Sequence, residues 1–135
     1  MNKEIRPSEL VDRLNDFVAS PPDRDFVEAG GRWWRAADVA VVARGVGTLL
    51  EDAGVPVDTA IGVVVRNHVE QAAALIGLIA AGRPVTMIQS QQASSLIAGQ
   101  VRALELAVVI AEEADWGEDL RSCLAEGRMG IVLPV

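Results

Sequence analysis

Ile61-Gly62-Val63-Val64-Val65 is five residues long, rich in β-branched side chains and free of polar ones. A strand with one face in water alternates apolar with polar residues, whereas a strand covered on both faces has no reason to. This run therefore predicts a buried strand, and it is not alone. Strands are predicted at Val85–Ile88, Ala107–Ile110 and Gly130–Leu133, with helical spacing between them: Asn67 to Gly82, Ser94 to Leu104, and Asp115 to Glu126. Strands each separated by a helix are joined by crossovers, which are right-handed and give a parallel sheet. The expected fold class is α/β, a parallel sheet with helices on both faces.

Ahead of that unit the sequence predicts an N-terminal helix and a β-hairpin. Pro7-Ser8-Glu9 opens the helix, Leu10, Leu14, Phe17 and Val18 follow at helical spacing, and Ser20-Pro21-Pro22 stops it. Asp25–Ala29 and Arg32–Arg35 flank Gly30-Gly31, a pair able to supply the positive φ angles of a two-residue turn. Val39, Val42, Val46, Leu49 and Leu50 then mark a helix from Ala36 to Ala53, closed by Gly54. Two capping boxes are expected, Asn67 with Glu70 and Asp115 with Glu118. The whole chain, residues 1–135, reads as a single domain of ordinary size.

Composition narrows the function. Only 4% of the residues are aromatic while 50% are hydrophobic, so the core is built from aliphatic side chains. A net charge of -7, with twelve basic residues scattered among nineteen acidic ones, argues against a nucleic-acid partner. The N-terminal residues Lys3, Glu4, Arg6 and Glu9 break any signal-peptide pattern, and the apolar stretch Val69–Ala81 is too short for a membrane span. With one cysteine, Cys123, no internal disulfide forms, and the expected location is cytoplasmic.

Chemistry-bearing residues are few. Gly45-Val46-Gly47 lies in a helix and lacks the third small residue of a dinucleotide fingerprint; close helix packing is the expected role. No Gly-rich phosphate loop ends in Lys, the sole lysine being Lys3 near the terminus. His68 is the only histidine, read as structural or exposed because the sequence offers it no partner. Glu112, Glu113, Asp115, Glu118 and Asp119 form an acidic cluster, read as a solvated loop and helix start rather than a cation site. Cys123 is expected to be a small buried hydrophobe. Trp33 and Trp34 are adjacent on a strand and point to opposite faces, so one of them is expected outward, marking an interface. No residue is assigned a catalytic, cofactor-binding or metal-binding role.

In order and spacing the segments resemble the opening of the adenylate-forming, AMP-binding enzymes, of which acyl-CoA synthetases are the commonest. The features are a hairpin leading into a helix ending Leu50 to Gly54-Val55, then Val57-Asp58 before the strand Ile61–Val65. Asn67 with Glu70 and a helix finishing Ala81-Gly82 before Val85 complete the pattern, over roughly residues 24 to 111. Val57 stands in place of a Gly, Arg83-Pro84 in place of a small residue, and Met87-Ile88-Gln89 lacks a following Pro. The resemblance implies ATP-dependent carboxylate activation through an acyl-adenylate, with Mg²⁺ and coenzyme A, in a longer enzyme. It also implies that the phosphate loop, adenine-contacting motif, ribose-binding Asp and mobile Lys lie past the last residue. The chain would then be a non-catalytic N-terminal fragment whose partner is the remainder of the enzyme, with a homo-oligomer formed through bared apolar surface. The alternative is a free-standing α/β interaction or ligand-binding module, using Trp33, Trp34 and the Gln89 to Ser95 loop.

Overall fold

In the computed structural model, which describes residues 7–134, the run Ile61–Val65 is an inner strand of a four-stranded parallel sheet. The elements are α1 (Pro7–Ala19), β1 (Asp25–Ala29), β2 (Arg32–Arg35), α2 (Ala36–Asp52), β3 (Ile61–Val65), α3 (Val69–Ala80), β4 (Val85–Gln89), α4 (Ser94–Ala103), β5 (Val108–Glu112), α5 (Glu118–Leu124) and β6 (Met129–Leu133). The parallel sheet has the order β4-β3-β5-β6, and β1 pairs antiparallel with β2 as a separate hairpin. The expected α/β class, parallel sheet, leading helix and hairpin are all present. Lys3, Glu4 and Arg6 lie outside the described residues.

The unalternating apolar runs are explained by two cores, one on each side of the sheet. Ile61, Val63, Val108 and Ile110 face α2 and α3, where they meet Val46, Leu50, Ala74 and Leu78. Val64, Val109 and Ala111 face the other way, onto Ile97, Val101, Leu120 and Cys123 of α4 and α5. Neighbouring residues of one strand thus enter opposite cores, and neither position tolerates a polar side chain. Cys123 is fully buried, as expected for a small hydrophobe. A third cluster ties α1 and the hairpin to the start of α2 and α3: Phe17, Val27 and Trp34 pack on Val39, Val69 and Ala73.

Helices α2 and α3 approach closely, but not where the sequence suggested. A Cβ placed on Gly45 or Gly47 would meet nothing within 4 Å, whereas one on Gly77 would lie 2.5 Å from the Ala43 carbonyl oxygen. The small residue that admits the neighbouring helix is Gly77 of α3. The hairpin turn follows the expected chemistry, with φ of 61° at Gly30 and 74° at Gly31.

Neither capping box forms. His68, in extended conformation, is the N-cap of α3, which shifts Glu70 one position too early to reach back. Gly117 is the N-cap of α5, preceded by a 3₁₀ turn at Glu113–Asp115. Asp115 is therefore not a cap. Its carboxylate is drawn instead to Arg66, because an ion pair across the sheet end offers more than one backbone N–H. At the start of α2 the Asp38 carboxylate does accept the Arg35 N–H, at 3.1 Å.

Candidate functional site

Strand order decides where a site can open. From β3 the chain crosses through α3 to β4 on one side, then returns through α4 over β3 to β5 on the other. The segments leaving β3 and β5 therefore diverge, and such a switch point leaves a crevice beyond the carboxyl ends of the two strands. The ladders show the parting. β3 stays in register with β4 through Val65↔Gln89, but its pairing with β5 ends at Val63↔Ile110.

A polar network closes that gap. Gln71, on the first turn of α3 and 1% exposed, accepts the Arg66 N–H with its amide oxygen. Its amide nitrogen donates to Oε2 of Glu112, the last residue of β5. His68 Nδ1 lies 2.8 Å from the same oxygen; a carboxylate can only accept, so the ring donates from Nδ1. Beside them Arg66 grips Asp115 with two bonds, Nε to Oδ2 at 2.8 Å and Nη2 to Oδ1 at 2.7 Å. Hydrogen bonding to Asp115, then its charge, raises the Arg66 pKa above its ordinary value.

His68 thus has a partner that the sequence did not reveal, because Glu112 lies 44 residues away. The acidic cluster is not a single solvated patch either. Glu112 is 5% exposed and held by His68 and Gln71, and the Asp115 side chain is also 5% exposed and held by Arg66. Asp119 instead accepts the Ser94 hydroxyl at 2.6 Å. Among the described residues no group of His, Cys, Asp and Glu converges as a metal site would require. Gln71 had a signal in the sequence: it shares a helix row with Ala74 and Leu78, a polar residue on a core-facing stripe.

A shallow cavity of about 300 Å³ lies next to this network, lined by Val65, Arg66, Asn67, Gln89, Ser90 and Gln91. A second of about 310 Å³ continues from it along Met87, Gln89, Gln91, Gln92 and Gln100. Of the two tryptophans, Trp33 is 56% exposed and Trp34 packs inward, with the Arg32 guanidinium 4.2 Å from its ring centre. Val41, Met87, Leu96, Leu104 and Val132 are further exposed apolar side chains.

No protein-family model matches the sequence, and no curated protein matches it. Solved structures do. A nonribosomal peptide synthetase in its alpha-methyl-L-serine-AMP-bound form superposes on 91% of this chain with a TM-score of 0.73 and 25% identity. This is a portion of the adenylate-forming fold. The chain spans 14% of that synthetase. Two other adenylate-forming enzymes share the fold at lower identity. Against an anthranilate CoA ligase in complex with anthranoyl-AMP the TM-score is 0.75 at 17% identity, covering 96% of this chain and 27% of the ligase. Against the O-succinylbenzoate coenzyme A synthetase of Bacillus subtilis in complex with AMP it is 0.71 at 10% identity, covering 88% and 30%. No described helix is long and apolar enough to cross a membrane.

Proposed function

We propose that this chain is the N-terminal scaffold of an AMP-forming acid–thiol ligase of the acyl-CoA synthetase type. In the full enzyme a carboxylate reacts with ATP, in the presence of Mg²⁺, to give an acyl-adenylate, and the acyl group then passes to coenzyme A, as in cytoplasmic fatty-acid metabolism. One observation carries the reading: nearly all of this chain corresponds to a small part of a much longer synthetase bound to an aminoacyl adenylate.

On this reading residues 1–135 form one α/β domain, whose partner is the remainder of the enzyme, and it supplies scaffold and no catalytic residue. The donor set supports that division. A nucleoside triphosphate with Mg²⁺ needs cations and free N–H groups converging on phosphate oxygens. The β3–β5 crevice instead holds a single guanidinium, Arg66, already paired with Asp115, beside a Glu112 engaged by Gln71 and His68, so among the described residues no set of cations converges there. These residues do not fit the triphosphate or its metal, so no step of the reaction runs through them. The exposed apolar side chains are the surface on which the remainder of the enzyme, or a second copy, packs.

The test is the reading frame beyond the codon for Val135, followed by assay of the encoded polypeptide. A Ser/Thr/Gly-rich loop ending in Lys and carboxylate-dependent exchange of pyrophosphate into ATP are expected. A stop codon at that point, or micromolar ATP binding by the 135-residue chain in isothermal titration, would overturn the reading.

A further inference from the structure

The cavity at the ends of β3 and β4 differs from the crevice beside it in one respect: its neutral polar side chains are uncommitted. The side chains of Asn67, Gln89, Ser90 and Gln91 have no hydrogen-bond partner among the described residues. None of the six lining residues is acidic, in a chain whose net charge is -7. The one charged member is Arg66. Asp115 engages its Nε and Nη2, which fixes the plane of the guanidinium and leaves Nη1 without a partner among the described residues. A planar guanidinium held on one edge and free on the other loses little entropy on binding a further acceptor. Three amides and a hydroxyl beside it add donors that carry no charge.

We propose that this cavity is an oxyanion site taking the phosphate or carboxylate group of a small molecule. Arg66 is the charged contact, Asn67, Gln89, Ser90 and Gln91 are the neutral donors, and Asp115 is an acceptor that competes with the ligand for the guanidinium. The site does not depend on the function proposed above. It opens beyond the carboxyl ends of β3 and β4, one strand to the side of the switch point between β3 and β5. Because Asp115 partly neutralises Arg66, affinity is weak, and the site selects groups by hydrogen-bond geometry more than by charge.

The experiment is a nuclear magnetic resonance titration of the full chain with inorganic phosphate and, separately, with acetate, at ionic strength held constant with chloride. Saturable shifts are expected for the Arg66 Nε–H and the Asn67, Gln89 and Gln91 amide signals, but not for the Trp33 indole. Saturation by phosphate alone identifies a phosphate ligand, and saturation by acetate alone or by both admits a carboxylate. Saturation by neither overturns the site. Arg66→Gln should abolish the response, whereas Asp115→Asn, which removes the competing carboxylate, should tighten binding by about two- to fivefold. Retained binding in the first variant, or weaker binding in the second, would mean that the pair is only architectural. Gln91 is exposed, so Gln91→Glu should keep the fold while placing a negative charge in the cavity wall. A response unchanged by that substitution also overturns the proposal.

Discussion

His68 Nδ1 and Glu112 Oε2 stand 2.8 Å apart across the point where β3 and β5 separate, and Gln71 donates to the same carboxylate oxygen. Three residues from two distant segments thereby tie the start of α3 to the end of β5, beyond the point where the β3–β5 ladder stops.

Glu112→Ala leaves the buried Gln71 amide without an acceptor, and an unsatisfied buried donor costs about 1–3 kcal/mol. Urea denaturation should show a loss of that size for Glu112→Ala and a smaller one for Glu112→Gln, which keeps one acceptor oxygen. Equal losses in the two variants would mean that packing, not hydrogen bonding, is what Glu112 supplies.

A matched pair of glycine substitutions separates close approach from helix propensity. Gly77→Ala drives a methyl group into the Ala43 carbonyl, and forcing α2 and α3 apart should cost about 1–3 kcal/mol. Gly47→Ala meets open space on the same helix pair, and should stabilise by about 0.5–1 kcal/mol through helix propensity. Thermal melts of the two variants should shift in opposite directions.

The tryptophans should differ as sharply although they are neighbours in sequence. Trp34→Ala removes a ring packed on the third cluster and under Arg32, and should cost about 2 kcal/mol or more. Trp33→Ala, at an exposed position, should stay within about 0.5 kcal/mol by denaturation. A large loss from Trp33→Ala in a sample shown to be monomeric would contradict this arrangement.

Acid should loosen the junction of α4, α5 and β6. The Glu126 carboxylate accepts from Arg102 at 2.9 Å and from Arg128 at 2.7 Å, and these bonds, that to Arg102 first, lower its pKa below the ordinary 4.5. A carboxyl group with a depressed folded-state pKa contributes stability above its unfolded-state pKa and loses it as pH falls through the folded value. The contribution of Glu126 should therefore be complete at neutral pH and disappear below the ordinary carboxylate range. Because the group is exposed, the effect is small and screened by salt. Comparing Glu126→Gln with the parent chain across that range should show the difference in stability shrinking as pH falls.

Much of the architecture was legible from local pattern. The run Ile61–Val65 announced a strand covered on both faces, and Gly30-Gly31 announced the hairpin turn, because periodicity and positive-φ turns are properties of neighbouring residues. The family-like order of hairpin, helix and strand was legible for the same reason. Caps were less so: His68 rather than Asn67 is the N-cap of α3, and its side chain is held by Glu112, a partner that no local pattern supplies.

Which residues share a site was decided by tertiary structure alone. Arg66 and Asp115 are separated by 49 residues, and His68 and Glu112 by 44; only the crossover that sets β5 beside β3 brings them together. Likewise nothing local distinguishes Gly77 from Gly47, since both occupy helices. The difference is that another backbone passes against one and open space lies beside the other. Sequence by itself determined which segments are helix or strand and which faces are apolar. Strand order determined which polar groups meet, because pairing across the sheet depends on where the chain crosses over and not on which residues adjoin.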